Sequence, residues 1–285
     1  MHLETHSYSP SHSLQTVITT TTRNAPKDSY WIVLIHGGAW RDPTQTATNY
    51  LLPVSKILPP TLPIAGIASI SYRLSAHPSH PQDPQTTDPY DFRAAKHPDH
   101  ILDVQDALAF LQNKYGFGDR YVLVGHSCGA TLAFQSVMGG YRLAAGLAPR
   151  AILGVAGIYD LRRLRDAHSD VSAYQEFIEG AFGADENLWD EVSPAVVEGK
   201  GGVGDEWRKG RLAVLAHSVD DGLVDLDQRE AMKSALGQWE EKGQVERSVE
   251  TLDLKGAHDE AWENGNELAE AITFTLAKLA GSTSA

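Results

Sequence analysis

The sequence predicts an α/β fold, a mainly parallel central sheet flanked by helices with a small helical cap insertion. Three observations carry that expectation. Tyr30 to Ile35 (YWIVLI) and Ile64 to Tyr72 (IAGIASISY) are nearly continuous apolar runs, the pattern of strands covered on both faces. Strand-like runs alternate with helix-competent stretches, as parallel pairing with crossover helices requires. Gly125-His126-Ser127-Cys128-Gly129 follows the apolar run Tyr121 to Val124 and precedes the helix-competent Ala130 to Met138, so a G-x-S-x-G sequence falls on a strand-to-helix corner.

Taken in order, Leu14 to Thr22 (LQTVITTTT) is β-branched and reads as an early strand, and Asn24 to Asp28 (NAPKD) makes a turn. Tyr30 to Ile35 and Ile64 to Tyr72 are the central strands. Ala76 to His100 is rich in Pro and His and too irregular for regular structure. Asp99 then caps a helix in which Leu102, Val104, Leu108, Ala109 and Leu111 recur at helical spacing up to Gly116. A short strand to Val124, a helix after Ser127 and a strand over Ala151 to Val155 follow. Leu161 to Val197 is helical but weakly patterned, with Tyr174, Phe177, Phe182 and Trp189. It leads into the glycine-rich Gly199 to Gly204, and together these residues, roughly 160–205, read as the inserted cap. Leu212 to Ala216 is a strand, Asp227 to Lys242 a helix, Val245 to Leu254 a strand and Glu260 to Leu279 a closing helix. The whole chain, 1–285, reads as one domain.

Composition narrows the function classes. A formal net charge of -13 disfavours nucleic acid and anionic membrane surfaces as partners. Met1 to Pro10 is polar, without a basic segment followed by an apolar one, and no apolar stretch approaches a membrane-spanning length, so a cytoplasmic protein is expected. The lone cysteine, Cys128, has no partner for an intramolecular disulfide.

Ser127 sits where a strained turn would present a hydroxyl clear of the sheet. To act as a nucleophile it needs a base within hydrogen-bond reach and a third group that orients the base. In this chain order the acid should come next and the histidine last. Asp221 follows the strand Leu212 to Ala216 directly, with Asp220 and Asp225 as competitors, and all three could simply cap the next helix. His258 lies directly after the final strand and before the final helix, an address no other histidine shares. His77, His80, His97 and His100 read as exposed loop residues without metal-ligand spacing, so neither a metal nor a cofactor is expected. His126 reads as a packing or hydrogen-bonding group around the turn. His36-Gly37-Gly38-Ala39-Trp40 follows the strand Tyr30 to Ile35. A Gly-Gly pair there lets the N–H groups of Gly38 and Ala39, with that of Cys128, point at an oxyanion, although the same five residues could form an ordinary turn.

These motifs resemble the α/β-hydrolase superfamily, in its hormone-sensitive-lipase-like HGGxW group. More narrowly, HGGAW at 36–40, GHSCGA at 125–130 and GIYDL at 157–161 resemble the fungal kynurenine formamidases. The resemblance spans nearly the whole sequence. It favours Asp221, because H-x-x-x-D-x-x-V, here His217 to Val224, is the form this loop takes in α/β-hydrolases. It implies hydrolysis of N-formyl-L-kynurenine to L-kynurenine and formate in tryptophan degradation towards NAD, by a cytosolic enzyme that is often a homodimer. Ser127, His258 and Asp221 would be the triad. A formyl group needs only a tiny acyl pocket, which Trp40 could narrow; the aryl end needs an apolar surface, for which Tyr159, Phe177, Phe182 and Trp189 are candidates and the loop Ala76 to His100 another possible wall, with core packing the competing reading of each aromatic residue. The rivals are a broad carboxylesterase for short acyl esters and an inactive hydrolase fold that binds a ligand.

Overall fold

A computed structural model describes residues 2–140, 148–241 and 246–281. An eight-stranded sheet runs in the order β1-β2-β4-β3-β5-β6-β7-β8, where β1 is Glu4–Ser7, β2 Thr16–Thr21, β3 Tyr30–Ile35, β4 Ile64–Ile70, β5 Tyr121–His126, β6 Ala151–Val155, β7 Leu212–Ser218 and β8 Ser248–Leu254. The pairs β1-β2 and β2-β4 are antiparallel, and every pair from β4 to β8 is parallel. The parallel block therefore ends all its strands on one side, where a fold of this kind places its ligand.

Alternation along β3 builds two cores. Val33 and Ile35 join one with the helices α2 (Asp99–Tyr115), α3 (Cys128–Gln135) and α8 (Leu226–Glu241). Ile32 and Leu34 join the other with α1 (Ala47–Ile57) and α10 (Asn266–Gly281). Both faces of the central strands are thus covered, which is why YWIVLI carries no polar alternation. Four helices, α4 (Leu161–Ala167), α5 (Ser172–Phe182), α6 (Glu186–Val192) and α7 (Val203–Glu206), follow β6 before the chain returns to the sheet at β7.

Several elements differ from the expectation. β1 and α1 have no counterpart in it. The N-cap of α2 is Pro98, while Asp99 accepts the Lys96 N–H at 3.2 Å instead of capping. The closing helix is two, α9 (Glu260–Glu263) and α10, broken where Gly265 takes φ +80°. Lys242 and Val245, the expected ends of a helix and a strand, lie outside the described residues. No helix among the described residues is long and apolar enough to cross a membrane.

Candidate active site

The strand β5 hands directly into α3 at Ser127, whose φ of 53° and ψ of -123° are costly for a residue with a Cβ. Glycines on either side make the corner possible. A Cβ on Gly125 would collide with the Gly129 carbonyl, and one on Gly129 with the carbonyls of Ile35 and His36. The turn is then pinned: Ser127 N–H donates to Val155 O at 2.9 Å, while Ser127 O accepts from Ala130 at 3.0 Å and Ile158 at 3.3 Å. A trans peptide aims its N–H opposite its carbonyl, so anchoring Ser127 O turns the Cys128 N–H the other way.

The same logic orients the loop after β3. Gly37 O accepts from His36 Nδ1 at 2.9 Å and from the Tyr72 hydroxyl at 3.3 Å, on its buried side. Gly38 O accepts the N–H groups of Arg41 and Asp42 at 2.9 and 2.8 Å. The N–H groups of Gly38 and Ala39 consequently face away from these anchors. Gly38 has φ +93°, Ala39 +48° and Trp40 +59°, a run of left-handed backbone held by its surroundings. Behind it, Trp40 N–H reaches Cys128 Sγ at 3.3 Å, and burial pushes that thiol up to about 11.

Asp221 hangs from the loop after β7 with its side chain almost fully buried. One oxygen accepts the N–H groups of Leu223 at 2.9 Å and Val224 at 3.0 Å, and the other faces His258 Nδ1 at 2.8 Å and His217 Nε2 at 3.3 Å. Burial alone would raise its pKa. Hydrogen bonds from His217 and His258, the charge of His258 and the Val224 N–H outweigh that and hold the carboxyl well below the usual carboxylate range. An ionised acceptor keeps a proton on His258 Nδ1 whether the ring is charged or neutral, so in the neutral ring Nε2 is the free lone pair. The competing carboxylates lie elsewhere: Asp225 faces His168 at 2.9 Å, and Asp220 is exposed.

Ser127, His258, Gly38 and Ala39 line one cavity of about 360 Å³, walled on the cap side by Tyr174 and Phe177. Among the described residues the Ser127 hydroxyl has no hydrogen-bond partner, a looseness common before substrate fills a site.

His126 connects these parts, as its hydrogen-bonding expectation allowed. Its Nε2 lies 3.0 Å from the His258 carbonyl, an acceptor only, so this nitrogen carries the proton and Nδ1 accepts from the Tyr50 hydroxyl at 2.6 Å. Tyr50 in turn accepts the Gly37 N–H at 3.1 Å. Burial lowers the His126 pKa well below its ordinary value, so the ring is neutral. No motif announced Tyr50, because the helix that carries it was not legible. Ring atoms of His126 and His258 and a carboxylate oxygen of Asp259 lie within 4.8 Å of one another, the spacing of a metal cluster. The imidazoles already hold the partners above, and Asp259 accepts from Trp262 Nε1 at 3.1 Å and Gln45 Nε2 at 3.3 Å.

Three expectations need correction. Tyr159 does not reach the cavity; its ring is buried against Phe134 and the backbone of Gly154 and Gly157. Trp40 is also fully buried, edge-on to Phe182 with centroids at 5.0 Å, so it supports the cavity from behind. His100 is a core residue with Nε2 on Ser75 at 3.1 Å, and His97 is half-buried against Phe182, so neither is an exposed loop group.

The α/β hydrolase family profile matches residues 32–264. A kynurenine formamidase-like hydrolase, fscH, of Fusarium equiseti is 44% identical over 271 residues, 90% of this chain and 86% of that protein. The kynurenine formamidase avaC of Aspergillus versicolor is 39% identical over 263 residues, 83% of this chain and 86% of that protein. Among solved structures, esterase B from Lactobacillus rhamnosis superposes with a TM-score of 0.64 at 17% identity, covering 99% of this chain and 85% of that one, a likeness of fold.

Proposed function

The chain belongs to the α/β hydrolase family, and we propose that it cleaves the formyl group from an aryl formamide, N-formyl-L-kynurenine, giving L-kynurenine and formate. The relatives support the choice of substrate, since the one at 39% identity is named a kynurenine formamidase and the one at 44% a kynurenine formamidase-like hydrolase. One observation carries the chemistry: His258, paired with the buried Asp221 at 2.8 Å, lines the same cavity as a serine on a strained strand-to-helix corner.

In this mechanism Ser127 Oγ attacks the formyl carbon while its proton passes to His258 Nε2. Asp221 keeps the ring in the correct tautomer and stabilises it once charged. The tetrahedral oxyanion is met by the N–H groups of Gly38, Ala39 and Cys128, each such donor worth about 3 kcal/mol in the transition state. His258 then protonates the aryl nitrogen as its bond to the formyl carbon breaks. A water activated by the same histidine attacks the formyl-serine ester, releasing formate and restoring Ser127. Such an enzyme would serve tryptophan degradation.

Release of kynurenine from N-formylkynurenine, followed by its absorbance, tests this reading. Wild-type protein should turn over the substrate, and Ser127→Ala should not. Cleavage of short aryl esters with no kynurenine release above the Ser127→Ala background would replace formamidase by esterase.

A further inference from the structure

We propose that Arg41 anchors a substrate carboxylate at the mouth of the reaction cavity, making this enzyme selective for aryl substrates that carry an acid remote from the scissile bond. The proposal deepens the formamidase reading and rests on it for the identity of the acyl group. It does not depend on it for the charge preference.

The chain has 37 acidic side chains against 24 lysines and arginines, so an arginine seldom lacks a carboxylate. Half-buried arginines elsewhere in the described residues follow that expectation. Arg73 holds Asp103, Arg150 holds Asp119 and Arg229 holds Asp253, while Arg93 and Arg247 donate to backbone carbonyls. Arg41 does neither, and among the described residues no carboxylate oxygen stands within ion-pair distance of it. Its guanidinium lies over the Phe177 ring, 5.7 Å from the centroid, a contact that leaves its donors unused. Burial lowers its pKa from the ordinary value, and the fields of Glu176 and Asp42 only partly offset that, as expected of a cation awaiting a partner.

Placement turns an unpaired charge into a subsite. Arg41 and His77 line both the cavity of Ser127 and His258 and a second cavity of about 430 Å³ that also contains Glu176 and Arg93. A ligand whose reacting group sits at Ser127 can therefore present a distal acid to Arg41. With Arg93 donating to the His80 carbonyl at 2.8 Å, Arg41, in the field of Asp42 and Glu176, suits a monoanion and disfavours a phosphate dianion, and Glu176 offers a counter-charge to a neighbouring ammonium. The site therefore fits the zwitterionic end of an amino acid.

The test compares N-formylkynurenine with N-formylkynurenamine, which lacks only the carboxylate, in wild type, Arg41→Met and Arg41→Lys. The readout is the ratio of the two kcat/KM values. Wild type should favour the acid, and the ratio should fall about 10- to 100-fold in Arg41→Met, the loss expected for a charged hydrogen-bonded pair, with Arg41→Lys retaining an intermediate preference. Equal ratios in wild type and Arg41→Met, or in wild type and Arg41→Lys where the methionine variant does not fold, overturn the proposal. Should wild type cleave neither formamide, the formamidase reading fails, and the same ratio is taken on 4-acetoxyphenylpropanoic acid and its primary amide. An Arg41-dependent preference there upholds the carboxylate subsite, and an unchanged ratio removes it.

Discussion

The two walls of the reaction cavity are built on different principles. On the sheet side, Ser127, Gly38, Asp221 and His258 are held by backbone hydrogen bonds and buried side chains, and several residues accept costly dihedrals. The cap side is made of side-chain surface from α5, chiefly Tyr174 and Phe177, and one hydrogen bond from it to the sheet side is Tyr174 hydroxyl to Leu223 O at 2.7 Å. Rigid geometry belongs where bonds are made and broken, because about 1 Å of misplacement there can cost 100-fold in rate. Apolar contact suffices where a substrate is only held. Variants on the sheet side should therefore lower kcat, and variants on the cap side should raise KM.

The largest effect tests the sheet side itself. Ser127→Ala should reduce kcat for formamide hydrolysis on the order of 10^5- to 10^6-fold while the protein remains folded. A residual rate within 100-fold of wild type would mean that Ser127 is not the nucleophile.

Acid should attack this side as well, through stability. His36, His100 and His126 are fully buried and neutral, with burial taking His36 to about 4, His100 to about 3 and His126 well below its ordinary value. In the unfolded chain each takes up a proton near 6.5, so below that pH the unfolded state binds more protons and folding stability falls. The stabilisation is complete above about 6.5 and is lost progressively towards the folded values. At pH 5 His36 and His100 each contribute a loss of about 2 kcal/mol, together on the order of 4 kcal/mol, a large share of the stability of a typical domain, and His126 acts in the same direction. The urea midpoint should be level above pH 7 and fall steeply between pH 6.5 and 5. A midpoint that stays level to pH 5 would show that these rings are protonated in the native protein.

Next in size is Asp221→Asn, expected to lower kcat about 10^4-fold through the wrong tautomer of His258, whereas Asp220→Asn and Asp225→Asn should leave it within about threefold. Tyr50→Phe probes the connection between the two loops of the sheet side. It removes the acceptor of the Gly37 N–H and the donor to His126, leaving buried groups unpaired at a cost of about 1–3 kcal/mol. Kcat should fall about tenfold with KM little changed, measured by steady-state kinetics on N-formylkynurenine; a rise in KM alone would detach Tyr50 from the geometry of the reaction.

The contrast between the walls also explains what the sequence made legible. Ser127 and Asp221 come after β5 and β7, buried strands that announce themselves by apolar runs, and His258 comes after β8, where SVETLDL mixes apolar, β-branched and polar residues, so their addresses could be read. The HGGAW loop was readable for the same reason. Tyr50 and Arg41 could not be found that way. Tyr50 lies on a helix that contains Pro53, a helix-breaking signal in the sequence, and its role depends on a ring 76 residues away in sequence. Nothing local marks Arg41 as unpaired, because that property belongs to the arrangement of carboxylates around it. Tyr159 misled because it is an aromatic residue at the entry to the cap region, while its ring packs under Gly154 and Gly157. A motif locates a backbone, and only packing decides which way an aromatic ring turns.

The smallest expected effect decides whether the cap is merely a wall. Phe177 lines the cavity, carries Arg41 on its face, and lies 6.1 Å from Trp40 and 5.5 Å from Tyr174 between ring centroids. It contributes no atom to the hydrogen bonds that orient Ser127, Asp221 or His258. Phe177→Leu keeps the site apolar but withdraws part of the ring surface from the aryl group and from the guanidinium, a loss of about 0.5–1 kcal/mol. KM for N-formylkynurenine should rise about two- to fivefold, with kcat within a factor of about two. If kcat fell tenfold or more instead, the cap would be setting the geometry of the reacting atoms, and the division of labour between the walls would have to be redrawn with α5 on the side of the chemistry.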